Sequence, residues 1–154
     1  MLQTGHPAPA FTMYDSEKNI VSNETIKGHK ALLLFIPAAF TSTCTKEFCM
    51  IRDDISRYND IDAKVIGIST DTIYVLRKWK EEQQINFTLA SDYNKDVSAA
   101  FDAAYETFNY GMKGISKRAA FIIDADGIIR YAEVLDNASL LPDFEKINAV
   151  LEEI

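Results

Sequence analysis

A chain of 154 residues, 47% hydrophobic and 25% charged, has the size and balance of a single domain (1–154) that buries a core without staples. A formal charge of −7 and a pI near 4.8 argue against a general nucleic-acid binder or an anionic-membrane binder, leaving Lys113, Lys117 and Arg118 as a local basic cluster. The longest apolar run, Ala31 to Ile36 and on to Phe40, is too short to span a bilayer, and MLQTGHPAPAF has neither a basic nor an apolar leader region, so the expectation is a cytoplasmic protein with reduced thiols.

No repeat or low-complexity tract interrupts the chain. The turn-rich start contains FTMYDSEKNIVSN, which reads as a short hairpin. Ala31 to Ile36 is a continuous apolar strand, of the kind buried on both faces of a parallel sheet. From about Thr43 to Tyr58 the pattern is helical, with Phe48, Ile51, Ile55 and Tyr58 forming one apolar stripe. AKVIGIST (63–70) is a second buried strand. Residues 72–84 form an amphipathic helix with Ile73, Leu76 and Trp79 on one side. NFTLASD (86–92) is a third strand, and a short helix runs from Asn94 to about Ala103.

An aromatic, glycine-containing loop follows, from Tyr105 to Ser116. AAFIID, the Asp126-Gly127 turn and IIRYAEV then read as an antiparallel hairpin. A helix closes the chain from about Ser139, with Leu140, Phe144, Ile147, Val150 and Leu151 on its apolar face. The alternation predicts an α/β fold with a mixed central sheet flanked by helices. Its order is that of a thioredoxin-like core with an N-terminal β-hairpin in front.

Two cysteines stand in the helix after the first buried strand. Ligands in α/β folds gather where strands end and helices begin. Cys44 falls in the first helical turn behind three candidate caps, Thr41, Ser42 and Thr43. Free N–H groups and the helix dipole there favour a thiolate. Pro37 ends the strand and stiffens the turn. Cys44 continues the stripe of Phe48, whereas Cys49 shares its face with Thr45, Arg52, Asp53 and Ser56. That polar setting fits core filler poorly.

In an intact helix, Cα atoms five positions apart are roughly 8–9 Å apart, and a disulfide needs about 4.4–6.8 Å. Joining the two thiols therefore requires the helix start to unwind. An inert buried role stays open for either thiol. Zinc wants about four ligands, and a Cys–His hydrolase would need His6 or His29 beside Cys44. A reductase of the C-x-x-C type is at odds with the C-x-x-x-x-C spacing.

PAAFTSTC (37–44) resembles the peroxiredoxin signature P-x-x-x-[TS]-x-x-C, matched at Pro37, Thr41 and Cys44. The family's downstream arginine is matched by Arg118 in KRAAFIID, and VIGISTD and FIIDADG extend the likeness over almost the whole chain. The resemblance implies a thiol-dependent peroxidase acting on hydrogen peroxide and organic hydroperoxides, with no metal or organic cofactor. Cys44 would be the peroxidatic thiolate. Arg118 would supply charge and donors, Thr41 a hydroxyl, and Pro37 a shield and floor.

Cys49 looks like the resolving cysteine of the bacterioferritin-comigratory (peroxiredoxin Q) group. That implies an intramolecular disulfide re-reduced by thioredoxin or a similar dithiol protein. The FIPAAFTSTCTKEFC context also resembles the alkyl hydroperoxide reductase E-type group, in which Cys49 would be non-resolving. A peroxide-sensing relay is the remaining alternative. Glu47 is a candidate for orienting Arg118, or else a solvated first-turn carboxylate. Phe40 is a candidate pocket wall, while Trp79 is assigned to core packing. Either a monomer or a homodimer is expected, without nucleic-acid or membrane partners.

Overall fold

A computed structural model describes residues 2–154. Its elements in chain order are β1 (Thr12–Asp15), β2 (Ile20–Ser22), α1 (Asn23–Ile26), β3 (Lys30–Phe35), α2 (Ser42–Asp53), α3 (Ile55–Asn59) and β4 (Ala63–Ser69). These are followed by α4 (Ile73–Gln83), β5 (Thr88–Ser91), α5 (Asp96–Ala100), a 3-10 turn (Asn109–Gly111), β6 (Arg118–Ile123), β7 (Ile129–Leu135) and α6 (Phe144–Glu153). Seven strands make one mixed sheet in the order β2-β1-β5-β4-β3-β6-β7. β3 pairs parallel to β4 and antiparallel to β6, so the apolar run 31–35 lies at the centre.

Alternation along β3 sorts the core into two layers. Leu32 and Leu34 face α2, α4 and α6, where they meet Phe48, Ile51, Leu76, Trp79, Ile147 and Leu151. Ala31, Leu33 and Phe35 face the other way, onto Phe11, Phe101 and Phe121. Gly67 sets how closely α2 approaches the sheet. A Cβ there would lie 2.4 Å from Cε2 of Phe48 and 2.8 Å from Cδ2 of Leu89.

The expected hairpins are present. β1 and β2 form the first, joined to the sheet edge through β5. β6 and β7 form the second, with Gly127 at a φ of 82° in its turn. Two helical expectations are corrected. The segment 43–58 is not one helix: α2 ends at Asp53, and the backbone of Asp54 leaves helical values (φ −115°, ψ 20°) before α3 begins. The stripe survives this kink because Ile51 and Tyr58 are buried on both sides of it.

The last helix starts at Phe144, not near Ser139. Asp143 caps it by accepting from the Lys146 N–H, and Leu140 is exposed on the preceding loop. The basic cluster does not form either. Arg118 is buried in the core, and Lys117 pairs with Asp136 at 2.7 Å.

Candidate active site

Strand β3 runs out at Phe35, and the Ile36 N–H still bonds to Ile68 O on β4. Pro37 has no N–H to continue the ladder, and the chain turns away there. Pro37 is buried. The turn is held from both sides. The Ala39 N–H donates to Asp71 Oδ2 at 2.8 Å, and the Thr41 hydroxyl donates to Ala38 O at 2.7 Å. Between them Phe40 adopts a φ of 65°, a conformation rare for a bulky residue. Its ring is about half exposed and lies 6.4 Å from Trp79.

Thr41 occupies the cap position of α2 in extended conformation, but its side chain serves the turn instead of a helix N–H. Cys44 is the third residue of α2. The N–H groups of that first turn have no intrahelical carbonyl and form a ready set of donors.

The sheet register brings the arginine to the cysteine. Phe35 pairs with Ala119, so Arg118 stands one residue further on, beside the point where the chain leaves β3. Its side chain is 1% exposed, and each of its three guanidinium nitrogens donates. Nη2 donates to Cys44 Sγ at 3.3 Å and to Ala138 O at 2.9 Å. Nη1 donates to Glu47 Oε1 at 2.6 Å, and Nε donates to Ala138 O at 3.3 Å. Glu47 follows Cys44 by three and so shares its helix face. It is wholly buried, and its Oε2 has no hydrogen-bond partner. Cys44 is only 1% exposed.

One cation therefore faces a sulfur and a carboxyl group away from water. Burial pushes Glu47 up, to about 7, against the pull of Arg118, with Glu133 adding a small push in the same direction as burial. For Arg118 burial works against the charge. Cys44 and Glu47 more than offset it and hold the guanidinium above its ordinary range. The site thus keeps a fixed positive fork at the sulfur, with a carboxyl group that changes charge near neutrality.

Cys49 is half-buried on another face of α2, and its thiol donates to Gln83 Oε1 at 3.6 Å. Trp79 packs on Phe48 at 5.4 Å, and its Nε1 donates to Thr45 Oγ1 at 3.3 Å. The histidines belong elsewhere. His29 pairs with Asp62 at 3.1 Å, before β3. That is the far end of a six-residue strand, about 20 Å away at the usual rise. His6 lies on the N-terminal segment, where its carbonyl accepts from the Ile129 N–H. Among the described residues no group of three or more His, Cys, Asp or Glu is arranged to hold a metal ion. None of the helices they form is long and apolar enough to cross a membrane.

The AhpC/TSA family model matches residues 4–132. A Mycobacterium tuberculosis protein that carries a peroxiredoxin name is 36% identical over 134 residues, covering 86% of this chain and 85% of the relative. This chain is a peroxiredoxin of the AhpC/TSA family. The alkyl hydroperoxide reductase E of Mycobacterium bovis is 34% identical over 135 residues, which is 87% of this chain and 86% of that protein. The crystal structure of peroxidoxin BcpB from Mycobacterium tuberculosis superposes with a TM-score of 0.86 at 27% identity, covering 100% and 99% of the two chains.

The peroxiredoxin is thus a thiol-dependent peroxidase with a thioredoxin-type fold, using a peroxide and a thiol reductant. Its structure brings together Cys44, Glu47 and Arg118, with Pro37 and Thr41 on the turn that leads into α2, and leaves Phe40 half exposed and Cys49 on another face of α2. Two residues went unmarked in the sequence. Asp71 anchors the cysteine turn through Ala39, and its carboxylate also accepts from Ser69 Oγ at 2.8 Å. Asp71 ends the VIGISTD motif, and that position was its one visible signal. Ala138, which accepts twice from Arg118, acts through its backbone and so left no side-chain signal.

Proposed function

We propose that Cys44 is the peroxidatic nucleophile and that Cys49 resolves it. The observation that carries this reading is the Arg118 Nη2 donor 3.3 Å from a buried Cys44 sulfur. A positive fork at that distance stabilises an anionic sulfur and is placed to hold a peroxide oxygen. The thiolate attacks the terminal, hydroxyl-bearing oxygen of R–O–O–H. The S–O bond forms as the O–O bond breaks, giving Cys44–SOH and an alkoxide or hydroxide that takes up a proton. Arg118 and the first-turn N–H groups of α2 offset the negative charge that develops on the oxygens. The Thr41 hydroxyl keeps lone pairs free to accept from the peroxide proton. Pro37, buried where the chain leaves β3, shields the site and shapes its floor.

Resolution follows as Cys44–SOH plus Cys49–SH giving the disulfide and water. Both thiols lie within unbroken α2, so the helix must open between them first. The least disruptive opening unwinds 42–46 and leaves Phe48 seated on Trp79 and Phe87. A dithiol protein of the thioredoxin type then reduces the bridge by exchange.

The test is mass spectrometry after one equivalent of hydrogen peroxide. The expected product is a Cys44–Cys49 bridge in the wild type and a trappable sulfenic acid on Cys44 in Cys49→Ser. A lasting sulfenic acid in the wild type would refute the resolving role. A sulfenic acid on Cys49 would refute the nucleophile.

A further inference from the structure

The geometry points to Gln83 as a positioning residue for the second half of the reaction, a latch that holds Cys49 on α4 while Cys44 reacts. This inference rests on the reading that Cys49 resolves Cys44.

Gln83 is the last residue of α4 and lies one turn beyond Trp79, on the face turned to α2. It grips α2 twice. Its side-chain Oε1 accepts from the Cys49 thiol at 3.6 Å. Its carbonyl, freed at the helix end, accepts from Arg52 Nη1 at 2.6 Å. Asn86 Nδ2 adds a bond to Arg52 O at 3.2 Å. The far half of α2 is therefore tied to the end of α4 through main-chain groups at Gln83 and Arg52. The Cys49 thiol is tied there by one side chain alone.

Even where 42–46 unwinds and Cys49 stays in place, Cys44–SOH can join the Cys49 sulfur only when the Cys49 S–H gives up its bond to Gln83 Oε1. The S–H that donates to Gln83 is the bond broken when the disulfide forms and water departs. Holding it delays resolution without touching the first step. Because the Arg52 contact uses the Gln83 carbonyl, side-chain substitutions remove the latch and leave the helix tether in place.

The experiment follows disulfide formation by rapid quench and mass spectrometry after hydrogen peroxide is mixed with the full-length protein. Gln83→Leu and Gln83→Ala remove the acceptor, and Gln83→Glu keeps one. Both acceptor-free variants are expected to form the Cys44–Cys49 bridge about two- to fivefold faster, the size of one weak hydrogen bond. The rate of Cys44 oxidation should not change, and Gln83→Glu should stay within twofold of wild type. Acceptor-free variants that resolve no faster than wild type overturn the latch. So does a Gln83→Glu variant as fast as Gln83→Leu. A wild type that forms sulfenic acid but no bridge overturns the resolving role itself, and the latch with it.

Discussion

Glu47→Gln should remove a specific part of the protein's pH dependence of stability. Glu47 has an ordinary value of 4.5 and is raised to about 7 in the folded protein, mainly by burial. A folded state that holds its proton more tightly than the unfolded chain loses stability as pH rises between the two values. That stability is fully present below 4.5 and gone above about 7. At about 1.4 kcal/mol per pH unit the whole span amounts to about 3 kcal/mol. Working from pH 5.5, clear of the pI near 4.8, to pH 7.5 samples about 2 kcal/mol of it.

Glutamine keeps an acceptor for Arg118 Nη1 and does not titrate. The assay is urea unfolding followed by the fluorescence of Trp79, the sole tryptophan, which is fully buried. Between the two pH values the wild-type midpoint should fall by about 1 M urea more than that of Glu47→Gln, for a typical slope of about 2 kcal/mol per molar urea. All other titrating groups are common to both proteins, so the difference isolates Glu47. Parallel loss of stability in the two would refute the assignment of Glu47 as a buried group that changes charge near neutrality.

Two further perturbations probe the frame of the site. Arg118→Lys keeps a charge but loses the fork that spans Cys44, Glu47 and Ala138, so peroxide reduction should slow by about 100-fold in stopped-flow. Gly67→Ala puts a Cβ into the Phe48 ring and should cost about 1–3 kcal/mol in urea unfolding, with a slower first step because Phe48 and Cys44 share one face of α2.

The parts of this protein that were legible in sequence share a physical cause. Ala31–Ile36 and AKVIGIST (63–70) read as buried strands because a central strand covered on both faces is predominantly apolar. Pro37 and the Cys44 stripe position read correctly because a strand end and a first helical turn are local. The kink at Asp54 was hidden because a one-residue departure leaves the stripe in register. Asp54 accepts from Arg57 at 2.9 Å, and such a contact also suits a continuous helix.

The late start of α6 did have a signal in the Pro142-Asp143 pair, a stop followed by a cap, but the apolar spacing from Leu140 outweighed it. The rest of the site is non-local. The pairing of Phe35 with Ala119, which delivers Arg118, joins segments far apart in the chain, as do the Asp71 anchor and the Gln83 contact. For Glu47 the sequence left a role in orienting Arg118 or another arginine and a solvated first-turn carboxylate equally open. In the fold it is buried and paired with Arg118 of β6.

Cys44, held by Arg118, is proposed to carry out the chemical step. The most direct test of that role is the single-turnover rate of hydrogen peroxide reduction in Cys44→Ser and Cys49→Ser, read through Trp79 against the wild type. Cys44→Ser should abolish the fast phase, while Cys49→Ser should keep it and stop at the sulfenic acid. A fast phase that survives in Cys44→Ser, or that disappears in a folded Cys49→Ser, would contradict that proposal.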